Sequence, residues 1–142
     1  MMARFERPTT IRFSHCDPAG IVFFPQYFVL FNGLVEDWVN EGLGLDYAAL
    51  LGPRRVGLPT VQIETEFRAI SRHGDAVTLG LELLRIGRSS FTLQLDCRAG
   101  AQLRVLTRQT LVSTDLDTHR AQALPSDLLA AMNQFQNGAD HA

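Results

Sequence analysis

Between Pro25 and Glu41 the apolar residues Phe28, Phe31, Leu34, Val35, Trp38 and Val39 recur at three- and four-residue spacing. Asn32, Glu36, Asp37 and Asn40 fall between them, so this stretch predicts one long amphipathic helix. Pro25 suits a first helical turn, where its missing N–H is no loss, and the two glycines of "EGLGLD" end the pattern. Asp46 is placed to cap a second, short helix through "YAALL".

After "GPRRVGLP" the period changes from 3.6 to two. Val61, Ile63, Thr65, Phe67 and Ala69 alternate with polar residues and predict a strand buried on one face. The same alternation returns at Val77, Leu79, Leu81 and Leu83, and again at Phe91, Leu93, Leu95 and Cys97. A further strand follows over Leu103 to Val112, with Arg104 and Arg108 on one face. The short connections "SRHGD", "RIGRSS" and "AGAQ" read as turns and predict a meander of consecutive antiparallel strands. Thr9 to Phe13 has the β-branched content of a short strand, and Pro125 to Phe135 predicts a short C-terminal helix. These elements make an α+β domain, an antiparallel sheet of five to six strands wrapped around one long central helix. That architecture is the hotdog fold.

Composition changes this picture little. The 142 residues carry no repeat or internal linker and are expected to form a single domain, with 1–8 and 137–142 flexible. A formal net charge of −2 gives no basic field for nucleic acid, and no apolar run is long enough to span a membrane. All 13 cationic residues are Arg, which removes Schiff-base and P-loop lysine chemistry. Cys16 and Cys97 follow no zinc or redox spacing, and the N-terminal residues do not read as a signal peptide. A reduced cytoplasmic setting is the expectation. The four histidines have no partner at ligand spacing, so no metal site is expected.

The candidate chemistry lies in "SHCDPAGIVFFPQYF", residues 14 to 28. Pro18 pushes Asp17 into an extended conformation, and Gly20 can take a positive φ that reverses the chain. The segment should therefore bend and enter the helix near Pro25, where orphan N–H donors carry partial positive charge. A carboxylate facing such donors has the parts needed for acyl transfer. By local rules alone the same residues are a turn, with Asp17 a cap. Cys16 reads as a small buried hydrophobe. His15 shares a strand face with Asp17 by period two, so a pair is conceivable, but a surface histidine is the better reading.

"HCDPAGIVFFPQYF" resembles the active-site segment of hotdog-fold thioesterases of the 4-hydroxybenzoyl-CoA thioesterase family. The similarity continues through "GLPTVQIETEFRAISRHGD" and "LRIGRSSFTLQ" and covers most of residues 9 to 114. It implies an acyl-CoA thioesterase acting on an aromatic or medium-chain acyl group without metal or cofactor. Asp17 would be the nucleophile or general base, and the backbone N–H of Phe24 would polarise the thioester carbonyl. Gly20, Phe23, Asn32 and Thr60 would meet the substrate, and Arg88, Ser89 and Ser90 the CoA phosphates, from a neighbouring subunit. The resemblance also implies a homodimer, paired edge to edge, that assembles into a homotetramer. The family's namesake enzyme has an aspartate at Asn32, a tryptophan at Phe23 and an acidic residue at His15. These departures bear on the acyl group and not on the reaction class. Two other readings are carried forward: a hotdog hydratase or dehydratase, and a non-catalytic acyl-CoA-binding protein.

Overall fold

A computed structural model of the chain describes residues 2–138. The chain enters as strand β1 (Arg4–Thr10), makes a single tight turn at Phe13–His15, and reaches helix α1 (Pro25–Asp37). Helix α1 widens at Trp38–Gly42 into a π-turn, closed by the Leu43 N–H on the Trp38 carbonyl at 2.8 Å. A short helix α2 (Tyr47–Leu51) follows, and Asp46 caps it by accepting the Ala49 N–H at 3.1 Å. Then come β2 (Val56–Gly57), β3 (Thr60–Phe67), β4 (Ala76–Ile86), β5 (Ser90–Ala99), β6 (Gln102–Val112), β7 (Thr114–Asp115) and helix α3 (Ser126–Gly138).

Five strands form one antiparallel sheet in the order β1-β4-β5-β6-β3, and β2 pairs with β7 beside it. The inner face presents Val77, Leu79, Leu81 and Leu83 from β4 and Phe91, Leu93, Leu95 and Cys97 from β5, all buried. Against them lies the apolar stripe of α1, with Tyr27, Phe31, Leu34 and Val35 continuing into Trp38 and Val39. The predicted wrapping of a sheet around one helix is thus the architecture observed. Helix α3 closes one end through Leu128 and Met132, and its Phe135 ring meets Trp38 edge-on at 5.6 Å. Among the described residues no helix is long and apolar enough to cross a membrane.

Three expectations change. The meander holds for β4, β5 and β6, but "SRHGD" is no hairpin turn, because β3 pairs with β6 and β4 pairs with β1. Residues 68–75 instead carry the chain from one edge of the sheet to the other strand group, and their backbone groups bond to the segment after β1. The second change concerns β3. Ile63 and Phe67 lie on its inward side yet are 43% and 50% exposed, and Val61, at the bulge between Thr60 and Gln62, is 61% exposed, because β3 is an edge strand that α1 covers only in part.

The third is the termini: 4–8 were expected to be flexible and instead belong to β1, so that the strand expected over Thr9 to Phe13 ends at Thr10 and Phe13 opens the tight turn; 137 and 138 of the expected flexible tail end α3, and 139–142 lie outside the described residues. Arg4 explains the order. Its guanidinium passes over Gly80, where any Cβ would collide with it, and forms a two-pronged pair with the buried Asp96 at 2.6 and 2.7 Å. Glu82 and Glu6 add further hydrogen bonds to the same group. A paired charge with four of its five N–H donors used is tolerated where a lone one is not. Replacing Asp96 with Ala is expected to cost about 2 kcal/mol, read as a melting temperature lower by roughly 6 °C, with β1 amides exchanging faster. An unchanged melting temperature would show that the pair does not hold β1.

Candidate active site

The segment from Arg12 to Pro25 is built by backbone bonding. Cys16 pairs with Val22 in an isolated antiparallel bridge, and the loop between them is closed by the Asp17 N–H on the Ile21 carbonyl at 3.0 Å. Gly20, at φ +78°, lets the chain reverse and returns its N–H to the Asp17 carbonyl at 2.9 Å. Asp17 therefore stands at the neck of a tight loop, half-buried. One carboxylate oxygen, Oδ1, accepts the Ala19 N–H at 2.9 Å. The other accepts no hydrogen bond among the described residues. Asp17 is thus a turn-former, but it does not cap α1: the residue at that position is Phe24, with no side-chain cap.

The helix start holds few open donors. Pro25 has no N–H, Gln26 donates to the Phe23 carbonyl at 2.8 Å, and Tyr27 donates to the Phe24 carbonyl at 3.1 Å. Phe23 donates to the His15 carbonyl at 3.0 Å. The Phe24 N–H has no partner among the described residues. The several donors expected at the helix start reduce to this one, on the positive end of the α1 dipole.

His15 and Asp17 do not form a pair. His15 ends a tight turn instead of lying on a strand, and its Nδ1 accepts the Arg12 N–H at 2.9 Å. Cys16 is half-buried against the core, its thiol donating to the Arg12 carbonyl at 3.5 Å.

Phe23 and Phe24 lie half-exposed, ring to ring at 5.6 Å, and begin an aromatic line along the flank of α1. Phe67 from β3 meets Phe24 at 6.0 Å and Tyr27 at 6.1 Å, and Tyr27 stacks on Phe31 at 6.5 Å. Two turns along the helix the same flank borders a cavity of about 230 Å³ lined by Phe28, Phe31, Asn32, Thr60, Ile63 and Gln109. Asn32 and Thr60, distant in sequence, are therefore brought together. The sequence reading missed Gln109. It lies on the inward side of β6, buried among Val105, Thr107 and Leu111, and its amide donates to the Thr60 hydroxyl at 2.6 Å. The signal was a polar residue at an inward position of an alternating strand.

Arg88, Ser89 and Ser90 sit elsewhere. They turn from β4 into β5, while the Asp17 loop packs at the start of β4, where the His73 N–H meets the Gly20 carbonyl at 3.1 Å. The eleven residues of β4 separate the two by roughly 33 Å. The backbone of this turn is committed, with Ser89 accepting from Ser113 and Arg88 from Leu124, while the Arg88 side chain is exposed without an ion pair among the described residues.

Under the loop, burial raises the Tyr27 hydroxyl above its ordinary range and pushes the Cys97 thiol up to about 11. The Arg72 amide and the Arg104 guanidinium hold the Asp75 carboxyl below the usual carboxylate range.

A family model described as the thioesterase-like superfamily matches residues 11–132, which include every element from the Asp17 loop to the body of α3. The chain belongs to the thioesterase-like superfamily. This thioesterase-like chain is 31% identical over 127 residues to the 1,4-dihydroxy-2-naphthoyl-CoA hydrolase of Synechococcus sp. (strain CC9605), covering 84% of this chain and 83% of that protein. Its fold matches a crystal structure of a 1,4-dihydroxy-2-naphthoyl-CoA thioesterase from Synechocystis with a TM-score of 0.83, at 20% identity over 92% of this chain and 96% of the other. A Staphylococcus aureus protein solved in complex with CoA superposes with a TM-score of 0.85, at 17% identity over 96% of this chain and 87% of that one. The hotdog fold and membership among acyl-CoA thioester hydrolases follow.

One thiol of this thioesterase-like protein should be silent. With a thiol pKa near 11, Cys97 is ionised in about one molecule in a thousand at pH 8. Iodoacetamide at that pH is expected to modify Cys16 and leave Cys97 untouched until denaturant is added, as read by peptide mass. Labelling of both at equal rates would contradict the buried placement.

Proposed function

We propose that the protein hydrolyses an aromatic acyl-CoA to the free acid and CoA, with Asp17 as the catalytic carboxylate and the Phe24 N–H as the oxyanion donor. The observation that carries this reading is the pair of open valences. One oxygen of Asp17 and one N–H at the positive end of α1 are left without partners on the two arms of a single loop. Asp17 either attacks the carbonyl carbon or takes a proton from the water that attacks it. The carbonyl oxygen, now negative, is held by the Phe24 N–H, and the intermediate collapses by expelling the CoA thiolate; where Asp17 is the nucleophile, water then cleaves the acyl–Asp17 anhydride to give the free acid and regenerate the carboxylate. A thiolate leaves readily, so no strong general acid is required. Water is the only co-reactant, and the scheme uses neither metal nor redox cofactor.

The aromatic flank of α1 supports an aryl acyl group, as does the Synechococcus relative named for a naphthoyl thioester. Asn32, Thr60 and Gln109 would meet polar substituents on the ring. Because Gln109 and Thr60 share one hydrogen bond, the pair still presents a donor and an acceptor, which suits a ring hydroxyl. Phe23 and Gly20 would border the thioester. Arg88, Ser89 and Ser90 would reach the CoA phosphates from a neighbouring subunit, a reading supported by their distance from Asp17 within one chain. The exposed apolar side of β3 supports pairing into an edge-to-edge homodimer, and we extend this to a homotetramer working in the reduced cytoplasm.

The test is thiol release from a panel of aryl, branched and straight-chain acyl-CoAs. Asp17→Asn is expected to lower kcat by at least roughly a hundredfold, and release that survives undiminished would sink the assignment. Retained CoA binding with no release from any thioester would favour a binding protein, and loss of enoyl absorbance without thiol a hydratase. On the same panel, Gln109→Leu should lower kcat/KM about tenfold for hydroxylated aryl substrates and little for unsubstituted ones. An equal loss on both would remove Gln109 from ring recognition.

A further inference from the structure

The two groups that carry the proposed chemistry stand on separate pieces of chain, and neither piece is regular structure at the point of use. What ties them to the sheet is the crossover 71–75. Along the first arm of the loop, the Ile11 N–H donates to the Asp75 carbonyl at 2.8 Å and the Gly74 N–H returns to the Ile11 carbonyl at 2.8 Å. Along the second arm, the Val22 N–H donates to the Ser71 carbonyl at 3.0 Å, and Ile21 pairs with Arg72. At the tip, the His73 N–H holds the Gly20 carbonyl. The crossover is therefore the template on which the Asp17 loop is folded.

The crossover in turn is set by one cation. Arg104, on β6 and only 14% exposed, directs Nη1 to Asp75 Oδ2 at 2.6 Å and to the Ser71 hydroxyl at 3.2 Å. The same Asp75 oxygen accepts the Arg72 N–H at 2.9 Å, which closes the turn on itself. Ser71 is 1% exposed. Its carbonyl accepts the Val22 N–H, and Val22 stands two residues before Phe24, whose N–H is open. One guanidinium thus reaches both arms of the loop: the arm that leads to Asp17 through Asp75, whose carbonyl accepts the Ile11 N–H, and the arm that leads to Phe24 through Ser71.

We propose that Arg104 is a positioning residue, which through Ser71 and Asp75 fixes the Asp17 carboxylate relative to the Phe24 N–H. The assignment rests on the function proposed above for Asp17 and Phe24. The junction touches no substrate, so its loss acts on the chemical step and not on binding. Misplacement of a reacting group by about an ångström costs up to roughly a hundredfold in rate.

The test compares Arg104→Gln with the unsubstituted protein by kinetics and by amide exchange. Expected are a fall in kcat of about ten- to a hundredfold with KM changed less than about twofold, and faster exchange confined to peptides within residues 12–22 and the crossover 71–75 that holds them. In an Asp17→Asn background the same substitution should cost less than about twofold, since Arg104 acts through Asp17. Arg54→Gln, which removes a two-pronged pair with Asp127 far from the loop, should leave kcat unchanged. Equal losses in both backgrounds, or exchange rising equally across β4 and β5, would make Arg104 merely structural and overturn the inference. Unchanged exchange in residues 12–22 would overturn it as well. Should Arg104→Gln fail to fold, Ser71→Ala and Asp75→Asn remove one limb each and are read against the same criteria. Absence of thiol release from the unsubstituted protein would defeat the proposed function, while the exchange arm would still decide whether Arg104 holds the loop.

Discussion

A single helix has to cover a five-stranded sheet, and it is too narrow to do so. An α-helix with its side chains is about 10 Å across, whereas five strands at about 4.8 Å spacing place the outer backbones roughly 19 Å apart. Helix α1 spends its apolar stripe on β4, β5 and the near part of β6, where Leu81, Leu93, Leu95 and Val105 are fully buried. On one side α3 supplements it. On the other side nothing does, and β3 keeps Val61, Ile63 and Phe67 in contact with solvent. The uncovered strip between α1 and β3 is where the aromatic line and the cavity with Asn32, Thr60 and Gln109 lie. The shortfall in coverage and the position of the candidate site are therefore one fact about geometry.

The polar residues inside this arrangement divide by whether their valences are filled. Asp96 is bonded to Arg4, and Ser71 and Asp75 to Arg104, and these groups hold elements in place. Among the described residues one oxygen of Asp17 and the N–H of Phe24 have no partner. Buried polar groups that are fully bonded stiffen a structure, and those left open at a surface are available to a ligand.

What could be read from the sequence follows from how local each cause is. The stripe of α1, the Asp46 cap and the alternation of β4, β5 and β6 are set by residues a few positions apart, and they were legible. Strand β1 was not, because "RFERPTT" hides its anchor: Arg4 finds its partner 92 residues away. The β3–β4 crossover imitates a hairpin turn, and only the competition of β1 for the edge of β4 shows otherwise. Arg104 lies 33 and 29 positions from Ser71 and Asp75 and meets them only through the strand order. Asp17 is the instructive case. Local rules made it a turn residue, which it is, while family resemblance implied a catalyst; the structure shows the first through one oxygen, and the second oxygen accepts no hydrogen bond among the described residues.

Arg4, Gly80 and Asp96 impose an order on change. A side chain at position 80 displaces the guanidinium that crosses it, and that displacement leaves the buried Asp96 with only the longer Arg98 contact at 3.5 Å. Loss of the glycine is therefore better tolerated in a chain that has already neutralised position 96. Among descendants of this sequence the three positions should behave as one inherited character, with the acid surrendered first and the glycine last.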